Sequence, residues 1–327
     1  MNKRVFGHNG GMVSEVGLGT WQIGGSWGEV SDETAEAILR TAVEQGINFF
    51  DTADVYGGGL SEQRISRFLR KSGDKVFVAT KLGRGGDPGW PGNFGREAIR
   101  RHTEASLGRL GVESLDLTQL HCLPTEVLRQ GEVFEWLREL RNEGKIRAFG
   151  ASVESMEEAR ICAHQPGISS LQIIFNIFRQ KPITELFDLA QSKGIAIIVR
   201  LPLASGLLSG KFTVDTRFGS GDHRSFNRDG QSFNVGETFA GLPFEKGVAL
   251  ADRLKEMVPD GMSLVDLALR WILDFEAVTT IIPGATRPEQ VMGNVRASAL
   301  PRLSPELHGA LAEFYRNEVR DHIRGPY

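Results

Sequence analysis

The sequence predicts an α/β protein folded as a closed (β/α)8 TIM barrel, with an N-terminal β-hairpin and extra C-terminal helices. Eight short apolar runs are each followed by a helical pattern, at about 30–40 residues per unit, which favours parallel strands. The alternative is an open doubly wound sheet. It is less favoured because eight units are too many for a simple open sheet, and no GxGxxG fingerprint occurs. We therefore expect residues 1–327 to form one barrel domain with a long loop at about 202–243.

The elements follow from turn and cap signals. Turn-forming residues at 7–11 predict the hairpin, which leads into a first strand ending near Trp21. Ser31 precedes an amphipathic run and predicts a helix cap, and Gly46 ends that helix. The other predicted strands are residues 48–51, 76–81, 115–121, 146–152, 171–175, 195–200 and 278–282. The other predicted helices are residues 61–69, 96–110, 131–142, 155–163, 184–192, 244–257 and 264–273, one from Pro288, and a last segment at 305–317.

Composition excludes several classes of protein. Of 327 residues, 40% are hydrophobic and 24% charged, which is typical of globular chains, and a net charge of −3 favours neither nucleic acid nor anionic membrane as a partner. Two cysteines, Cys122 and Cys162, are too few for a disulfide scaffold or a CxxC metal site. With no signal-peptide pattern at the start and no apolar run of about 20 residues, we expect a cytoplasmic protein without a metal.

The chemistry is predicted at the carboxyl ends of the strands, where barrel enzymes carry their active sites. A lysine after an apolar run needs a partner, and Asp51 supplies one for Lys81. Tyr56, on the loop after Asp51, would then have its pKa lowered by Lys81 and donate a proton to a carbonyl oxygen that His121 orients. Alone, Asp51 and Tyr56 are equally typical of a turn cap and a surface tyrosine, and a lone histidine at a strand end is more often a satisfied core residue. Together the four residues predict one proton-transfer site. The polar strand-end residues are Asp51, Lys81, His121, Ser152, Gln172 and Arg200.

These residues lie in segments that, in collinear order over nearly the whole chain, resemble the aldo-keto reductases. The segments are Gly17-Leu-Gly-Thr-Trp21, Asp51-Thr-Ala-Asp-Val-Tyr56, Gly59-Leu-Ser-Glu62, Ala79-Thr-Lys81, Leu117-Thr-Gln-Leu-His121, Lys145-Ile-Arg-Ala-Phe-Gly-Ala-Ser152, Pro202-Leu-Ala-Ser-Gly-Leu-Leu-Ser-Gly-Lys211 and Ile282-Pro-Gly284. The resemblance implies an enzyme that reduces a small aldehyde or ketone by hydride transfer from NADP(H), with NAD(H) less favoured. It places the family's catalytic tetrad on Asp51, Tyr56, Lys81 and His121, with Tyr56 as the general acid.

The resemblance also assigns cofactor contacts, and it puts the 202–243 loop on the cofactor side. It implies contacts from Thr20, Trp21 and Asp51 near the nicotinamide, Ser152 and Gln172 at the carboxamide, Pro202, Leu203, Ala204, Ser205 and Lys211 around the pyrophosphate, and Gly284, Thr286, Gln290 and Asn294 at the adenosine. Arg287 and Arg224 are candidates for the 2′-phosphate, and a solvated loop charge is the equal alternative for Arg224. A helix beginning near Pro288 suits a phosphate.

Two positions depart from the family pattern. Val153 stands where many members have a polar residue for the carboxamide, and Arg200 stands where many have an aromatic residue stacked on the nicotinamide. Arg200 could stack on the ring, meet an acidic substrate, or pair with acidic neighbours. Cys122 directly follows His121, and strand alternation predicts that it faces away from the site.

Two other functions stay open from the sequence. One is a cofactor-binding regulatory subunit of the same fold, like the potassium-channel β subunits. The other is a barrel hydrolase with paired carboxylates at Asp51 and Asp54. The substrate is not indicated, because the loops at about 83–94, 122–130 and 212–243 would set specificity, and the oligomeric state is not indicated either.

Overall fold

A computed structural model describes residues 1–8, 11–25, 30–85, 89–90 and 92–327. Two short strands, β1 (Lys3–Val5) and β2 (Met12–Ser14), form the predicted antiparallel hairpin. The barrel strands are β3 (Leu18–Gly19), β4 (Phe49–Asp51), β5 (Phe77–Leu82), β6 (Leu117–His121), β7 (Phe149–Ser152), β8 (Ser170–Ile174), β9 (Ala196–Arg200) and β10 (Val278–Ile281). Part of the predicted 83–94 loop lies outside the described residues.

The described residues place these eight strands side by side in chain order, all parallel. Bridges from Val16 to Ile281 and from Gly19 to Gly284 join the first strand region to the last and close the barrel. Gly19 permits this approach, because a Cβ there would lie 2.6 Å from the carbonyl oxygen of Ile282. The predicted (β/α)8 barrel with its hairpin is confirmed.

Helices surround the sheet. They are α1 (Asp32–Glu44), α2 (Leu60–Ser72), α3 (Arg96–Leu110), α4 (Thr125–Gln130), α5 (Glu132–Asn142), α6 (Met156–Ala163), α7 (Pro182–Glu185), α8 (Phe187–Ser192), α9 (His223–Phe226), α10 (Phe244–Lys255), α11 (Leu264–Leu273), α12 (Pro288–Arg296) and α13 (Pro305–Phe314). Ser31 caps α1 as predicted, accepting a hydrogen bond from the backbone of Thr34. Within the described residues, no helix combines the length and the apolarity needed to cross a membrane.

The barrel interior is apolar at one end and polar at the other. Phe49 on β4 contacts Phe6 and Phe77 with ring centroids 5.8 and 5.4 Å apart, so the N-terminal segment covers this end of the barrel. Alternation along β4 then points Phe50 outward and Asp51 inward, two residues after Phe49. The cluster of Phe6, Phe49 and Phe77 fills the amino ends of the strands, and the polar side chains lie at their carboxyl ends.

The predicted loop at 202–243 is not structureless. It contains α9 and three short 3-10 turns, at Ala204–Ser209, Val235–Glu237 and Phe239–Gly241. The C-terminal segment crosses it, since the backbone and side chain of Arg324 both donate to the carbonyl oxygen of Gly241. This tether fixes a segment whose side chains form part of the site.

Candidate active site

Lys81, on β5, is the central group of the site. It has no exposed surface, and its ammonium group has three protons to donate. The Nζ atom lies 2.5 Å from Oδ1 of Asp51, 2.8 Å from the carbonyl oxygen of Thr52 and 3.2 Å from the hydroxyl of Tyr56. Every proton therefore has an acceptor, and the buried charge is paired as a buried charge must be.

Both carboxylate oxygens of Asp51 accept hydrogen bonds. Its second oxygen, Oδ2, accepts hydrogen bonds from Gln172 at 2.7 Å and from Gln119 at 3.3 Å. These glutamines come from β8 and β6, so the carboxylate is fixed by side chains from three other strands. Gln119 was not predicted as a site residue, although its position two residues before His121 puts it on the same inward face.

The pKa of Tyr56 does not fall as the sequence analysis predicted. Burial raises the pKa of its phenol, and the ammonium of Lys81 only opposes this rise. The prediction was wrong because it counted Lys81 alone: the charge of Asp51 offsets that of Lys81, and desolvation of a phenolate then dominates. The phenol accordingly holds its proton at neutral pH.

His121 is a neutral imidazole beside this phenol. Its ring meets that of Tyr56 edge-on at 6.0 Å. Burial lowers its pKa well below the usual range, and the nearby charges of Arg84, Lys81 and Arg200 lower it further. Among the described residues, none pairs with its Nδ1 atom.

A cavity of about 890 Å³ runs from these side chains to the start of α12, at the upper end of the size usual for ligand sites. The predicted residues that line it are Thr20, Trp21, Asp51, Tyr56, His121, Gln172, Arg200, Pro202, Leu203, Ser205, Lys211, Arg224, Gly284, Thr286, Arg287 and Gln290. Lys81, Ser152, Ala204 and Asn294 are buried behind this lining.

The far end of the cavity has features that suit phosphate groups. Arg287 occupies the N-cap position of α12 without a side-chain cap bond; its side chain is 59% exposed, with Nε 4.0 Å from Glu289. A guanidinium therefore lies beside a helix start, where the helix dipole favours an anion. Ala204, Ser205 and Gly206 all have positive φ, of 48°, 55° and 98°, a backbone form that often makes anion-binding concavities. Arg224 is no solvated charge, because it pairs with Asp222 at 2.5 Å and lies over the ring of Phe218.

Aromatic rings border the other end of the cavity. Trp21 stacks on Tyr56 with centroids 5.9 Å apart, and it contacts His223 at 4.7 Å. The indole of Trp90 donates to the carbonyl oxygen of Cys122 at 3.1 Å while more than half of that residue stays exposed. Trp90 therefore lies at the rim.

One wall of the cavity carries four charged residues that we call the arginine wall: Arg84, Arg200, Glu154 and Glu237. Arg84 donates to both oxygens of Glu237, at 2.9 and 3.1 Å, and Arg200 lies 3.6 Å from the same carboxylate. The two guanidinium groups lower the pKa of Glu237 to about 2 despite its burial. Arg200 thus meets an acidic neighbour, one of the alternatives that the sequence left open.

Cys122 also lines this wall, which corrects the prediction that it faces away from the site. Its φ of 56° is left-handed, so the alternation of β6 ends at His121 and does not extend to the next residue. The thiol lies 3.7 Å from Glu237 and 3.8 Å from Arg200. Burial raises its pKa to about 12, so it is a neutral thiol.

The arginine wall is poorly suited to a metal ion. Cys122, Glu154 and Glu237 bring one ligand atom each to within 4.8 Å of one another. Arg84 and Arg200, however, already supply two positive charges to these carboxylates. A cation placed here would be repelled by both guanidinium groups.

Paired carboxylates for hydrolysis are also not found at Asp51 and Asp54. Asp51 is neutralised by Lys81, while Asp54 pairs with His102 at 2.8 Å and accepts from the backbone of Gly83. These contacts give the two residues separate structural surroundings. The arrangement of the site does not favour the hydrolase alternative.

Comparison with known proteins agrees with this geometry. A sequence model described as the Aldo/keto reductase family matches residues 15–316. The chain is 32% identical to the aldo-keto reductase YhdN of Bacillus subtilis over 289 residues, 85% of this chain and 83% of that protein. It is 32% identical to the NADH-specific methylglyoxal reductase of Escherichia coli over 314 residues, 91% of this chain and 93% of that protein.

A solved structure is similar over almost the entire length. The glycerol dehydrogenase AKR11B4 of Gluconobacter oxydans matches with a TM-score of 0.78 and 31% identity, covering 99% of this chain and 98% of that one. The barrel, the strand-end residues and these matches lead to the same assignment. The chain belongs to the aldo/keto reductase family of oxidoreductases.

Proposed function

We propose that the protein reduces an aldehyde or ketone to the alcohol with NADPH as the hydride donor and Tyr56 as the general acid. The observation that carries this proposal is the contact of Lys81 with both Asp51 and the hydroxyl of Tyr56, at one end of a cavity of about 890 Å³ that reaches Arg287. A bound reduced nicotinamide would supply the hydride, which no side chain can provide.

The side chains divide the proton transfer among them. Tyr56 keeps its proton at neutral pH because burial raises its pKa, and it would give that proton to the carbonyl oxygen. Lys81 then stabilises the phenolate that remains, and Asp51 holds Lys81 in place. His121, being neutral, orients the carbonyl oxygen by a hydrogen bond without competing as an acid.

The proposal of NADPH over NADH rests on two arginines near the far end of the cavity. Arg287 is exposed beside the start of α12, and Arg224 lines the cavity next to the positive-φ turn. An arginine guanidinium is well matched to a phosphate monoester such as the 2′-phosphate. The relative in Escherichia coli named as NADH-specific makes the direct comparison of the two cofactors necessary.

The test is a purified protein assay that follows loss of reduced nicotinamide absorbance with NADPH or NADH and a panel of aldehydes and ketones. We expect turnover that Tyr56→Phe lowers by roughly 100- to 10,000-fold, the usual contribution of a general acid, while cofactor affinity stays the same. Cofactor binding without turnover of any carbonyl compound would favour the regulatory-subunit alternative. Binding of neither cofactor would contradict the proposal.

A further inference from the structure

The arginine wall has more hydrogen-bond donors than its own acceptors satisfy. Nη1 of Arg84 donates to both oxygens of Glu237, whereas its Nη2 lies 4.0 Å from the carboxylate of Glu154, beyond hydrogen-bond distance. Arg200 donates from Nη2 to the carbonyl oxygen of Val153 at 3.1 Å, whereas its Nε has no partner among the described residues. Buried guanidinium groups normally have their donors satisfied. Because Nε of Arg200 is enclosed, the donor that a ligand in the cavity can reach is on Arg84, whose side chain is 19% exposed.

The charges of the arginine wall also indicate that a further anionic acceptor can bind there. One buried carboxylate, Glu237, is shared by two guanidinium groups. Glu154 is the second acid, and its side chain is 20% exposed to the cavity. Burial and the neighbouring charge of Glu237 raise the pKa of Glu154 to about 7, so near neutral pH it is only partly ionised. The wall is therefore left with positive charge that a ligand anion can compensate.

We propose that the arginine wall selects carbonyl substrates that carry a carboxylate, and that Arg84 is the residue that binds this carboxylate. The inference rests on the proposed function and adds the substrate class: short aldehyde acids and oxo acids. Arg84 is better placed for this role than Arg200. It comes two residues after the end of β5, the strand that bears Lys81, and its guanidinium lies over the ring of Phe233 at 5.1 Å.

The position of Arg84 relative to the reacting groups supports this substrate class. Arg84 and Tyr56 line the same cavity, and the charge of Arg84 is near enough to His121 to lower its pKa. A carboxylate on Nη2 of Arg84 would thus leave the carbonyl group of a short chain facing Tyr56 and His121. A guanidinium with a free edge binds a carboxylate by parallel, charge-assisted hydrogen bonds.

Glu154 would compete with the substrate carboxylate when it is ionised. The charged and titratable groups around it are Arg84, Arg200, Glu237, Glu158 and Cys122. Of these, Glu237 stays ionised and Cys122 stays neutral near pH 7, because their pKa values are about 2 and about 12. Binding of a carboxylate to Arg84 should therefore be accompanied by uptake of a proton by Glu154, and should weaken as pH rises through 7.

The test compares two aldehydes of equal length, 4-oxobutanoate and butanal, as substrates of the complete protein with NADPH. For Arg84→Met we expect kcat/KM to fall roughly 30- to 100-fold for 4-oxobutanoate, the value of one charged hydrogen-bond pair, and less than about threefold for butanal. Arg40→Met, an exposed arginine on α1, is the matched control and should change neither. Equal losses for the two aldehydes, or weaker NADPH binding, would overturn the proposal.

Two further measurements keep the inference testable if Arg84→Met folds poorly or if turnover is absent. Glu154→Gln should abolish the pH dependence of the preference for 4-oxobutanoate between pH 6 and 8. Calorimetric titration with 4-oxobutanoate, in buffers of different protonation enthalpy, should detect proton uptake in the unaltered protein and none in Glu154→Gln. This binding test needs no turnover, so its success without catalysis would contradict the proposed function alone, and an absence of carboxylate binding would overturn the inference alone.

Discussion

Lys81 and Arg84 are three residues apart in the chain, but Lys81 is buried behind the lining of the cavity whereas Arg84 is part of that lining. All three protons of the Lys81 ammonium have acceptors supplied by strand ends and the adjoining loop, and the side chain is fully buried. The Arg84 side chain is 19% exposed, shares the carboxylate of Glu237 with Arg200, and approaches Glu154 with its Nη2 only to 4.0 Å. A satisfied charge holds a reacting group in one position, whereas an incompletely satisfied one can receive a ligand.

The same contrast separates strands from loops. Asp51, Lys81 and His121 lie on β4, β5 and β6, where the barrel fixes each backbone by hydrogen bonds to its neighbours. Glu237 comes from the 202–243 segment, which reaches the site only because turns and the tether from Arg324 hold it there. We expect changes on the strands to remove catalysis and much of the stability together, and changes in the arginine wall to affect specificity, with a smaller and pH-dependent effect on stability.

The largest effect is expected for Lys81→Met. Removing the ammonium leaves the carboxylate of Asp51 buried without its counter-charge, which typically costs about 3–5 kcal/mol of folding free energy. Turnover should also fall by at least about 1,000-fold, because the phenolate of Tyr56 loses its stabilising charge. Urea unfolding and steady-state turnover measure the two losses. Lys71→Met removes an exposed lysine on α2 and serves as the control; a Lys81→Met protein as stable and active as this control would contradict the strand-based site.

Glu237→Gln tests the arginine wall and should have a smaller effect. It leaves Arg84 and Arg200 without their shared carboxylate, but both side chains border the cavity, where water can approach them. We expect a loss of about 2 kcal/mol in unfolding free energy at pH 7, less than for a fully enclosed pair. Glu237→Gln combined with Arg200→Met should recover part of this loss, because one of the two unpaired charges is then removed.

The pH dependence of stability provides a second test of the ion pairs made by Glu237. The pKa of Glu237 is about 2 in the folded protein and near 4.5 when unfolded, so ionised Glu237 stabilises the fold fully above pH 4.5. That contribution is lost as pH falls from 4.5 towards 2. The stability difference between the unaltered protein and Glu237→Gln should therefore be largest above pH 4.5 and shrink steadily below it, as followed by urea unfolding between pH 3 and 7. A difference that is constant across this range would contradict the charge pairing of the wall.

The residues on the strands could be predicted from the sequence, whereas the contacts of the arginine wall could not. Strand periodicity placed Asp51, Lys81 and His121 at equivalent strand ends, because a closed barrel leaves little freedom in where a strand ends. Gln119 lies on that inward face and was overlooked only because its partner, Asp51, is distant in sequence. Alternation failed at Cys122, where a left-handed residue ends the strand pattern.

The arginine wall was not predictable in this way. Glu154 follows the end of β7 and could have been considered from its position, but Glu237 lies in a loop with no periodic pattern. Glu237 contacts Arg84 although the two residues are 153 positions apart in the sequence, so its role depends on the complete fold. The raised pKa of Tyr56 was missed for a related reason, since desolvation depends on the packed structure and not on the neighbours that a motif names.

The smallest expected effect is at the far end of the cavity, where Arg287→Met tests the preference between cofactors. The side chain is 59% exposed, so an ion pair between it and a 2′-phosphate is screened by water and should contribute only about 1 kcal/mol. We expect the Kd for NADPH to rise by roughly fivefold in fluorescence titrations at low salt, and the Kd for NADH to stay the same, since NADH lacks that phosphate. Raising the ionic strength should reduce the difference between the two proteins, because screening weakens the pair that the substitution removes. An equal loss of affinity for both cofactors would mean that Arg287 only shapes the start of α12, and it would leave Arg224 as the candidate contact to the phosphate.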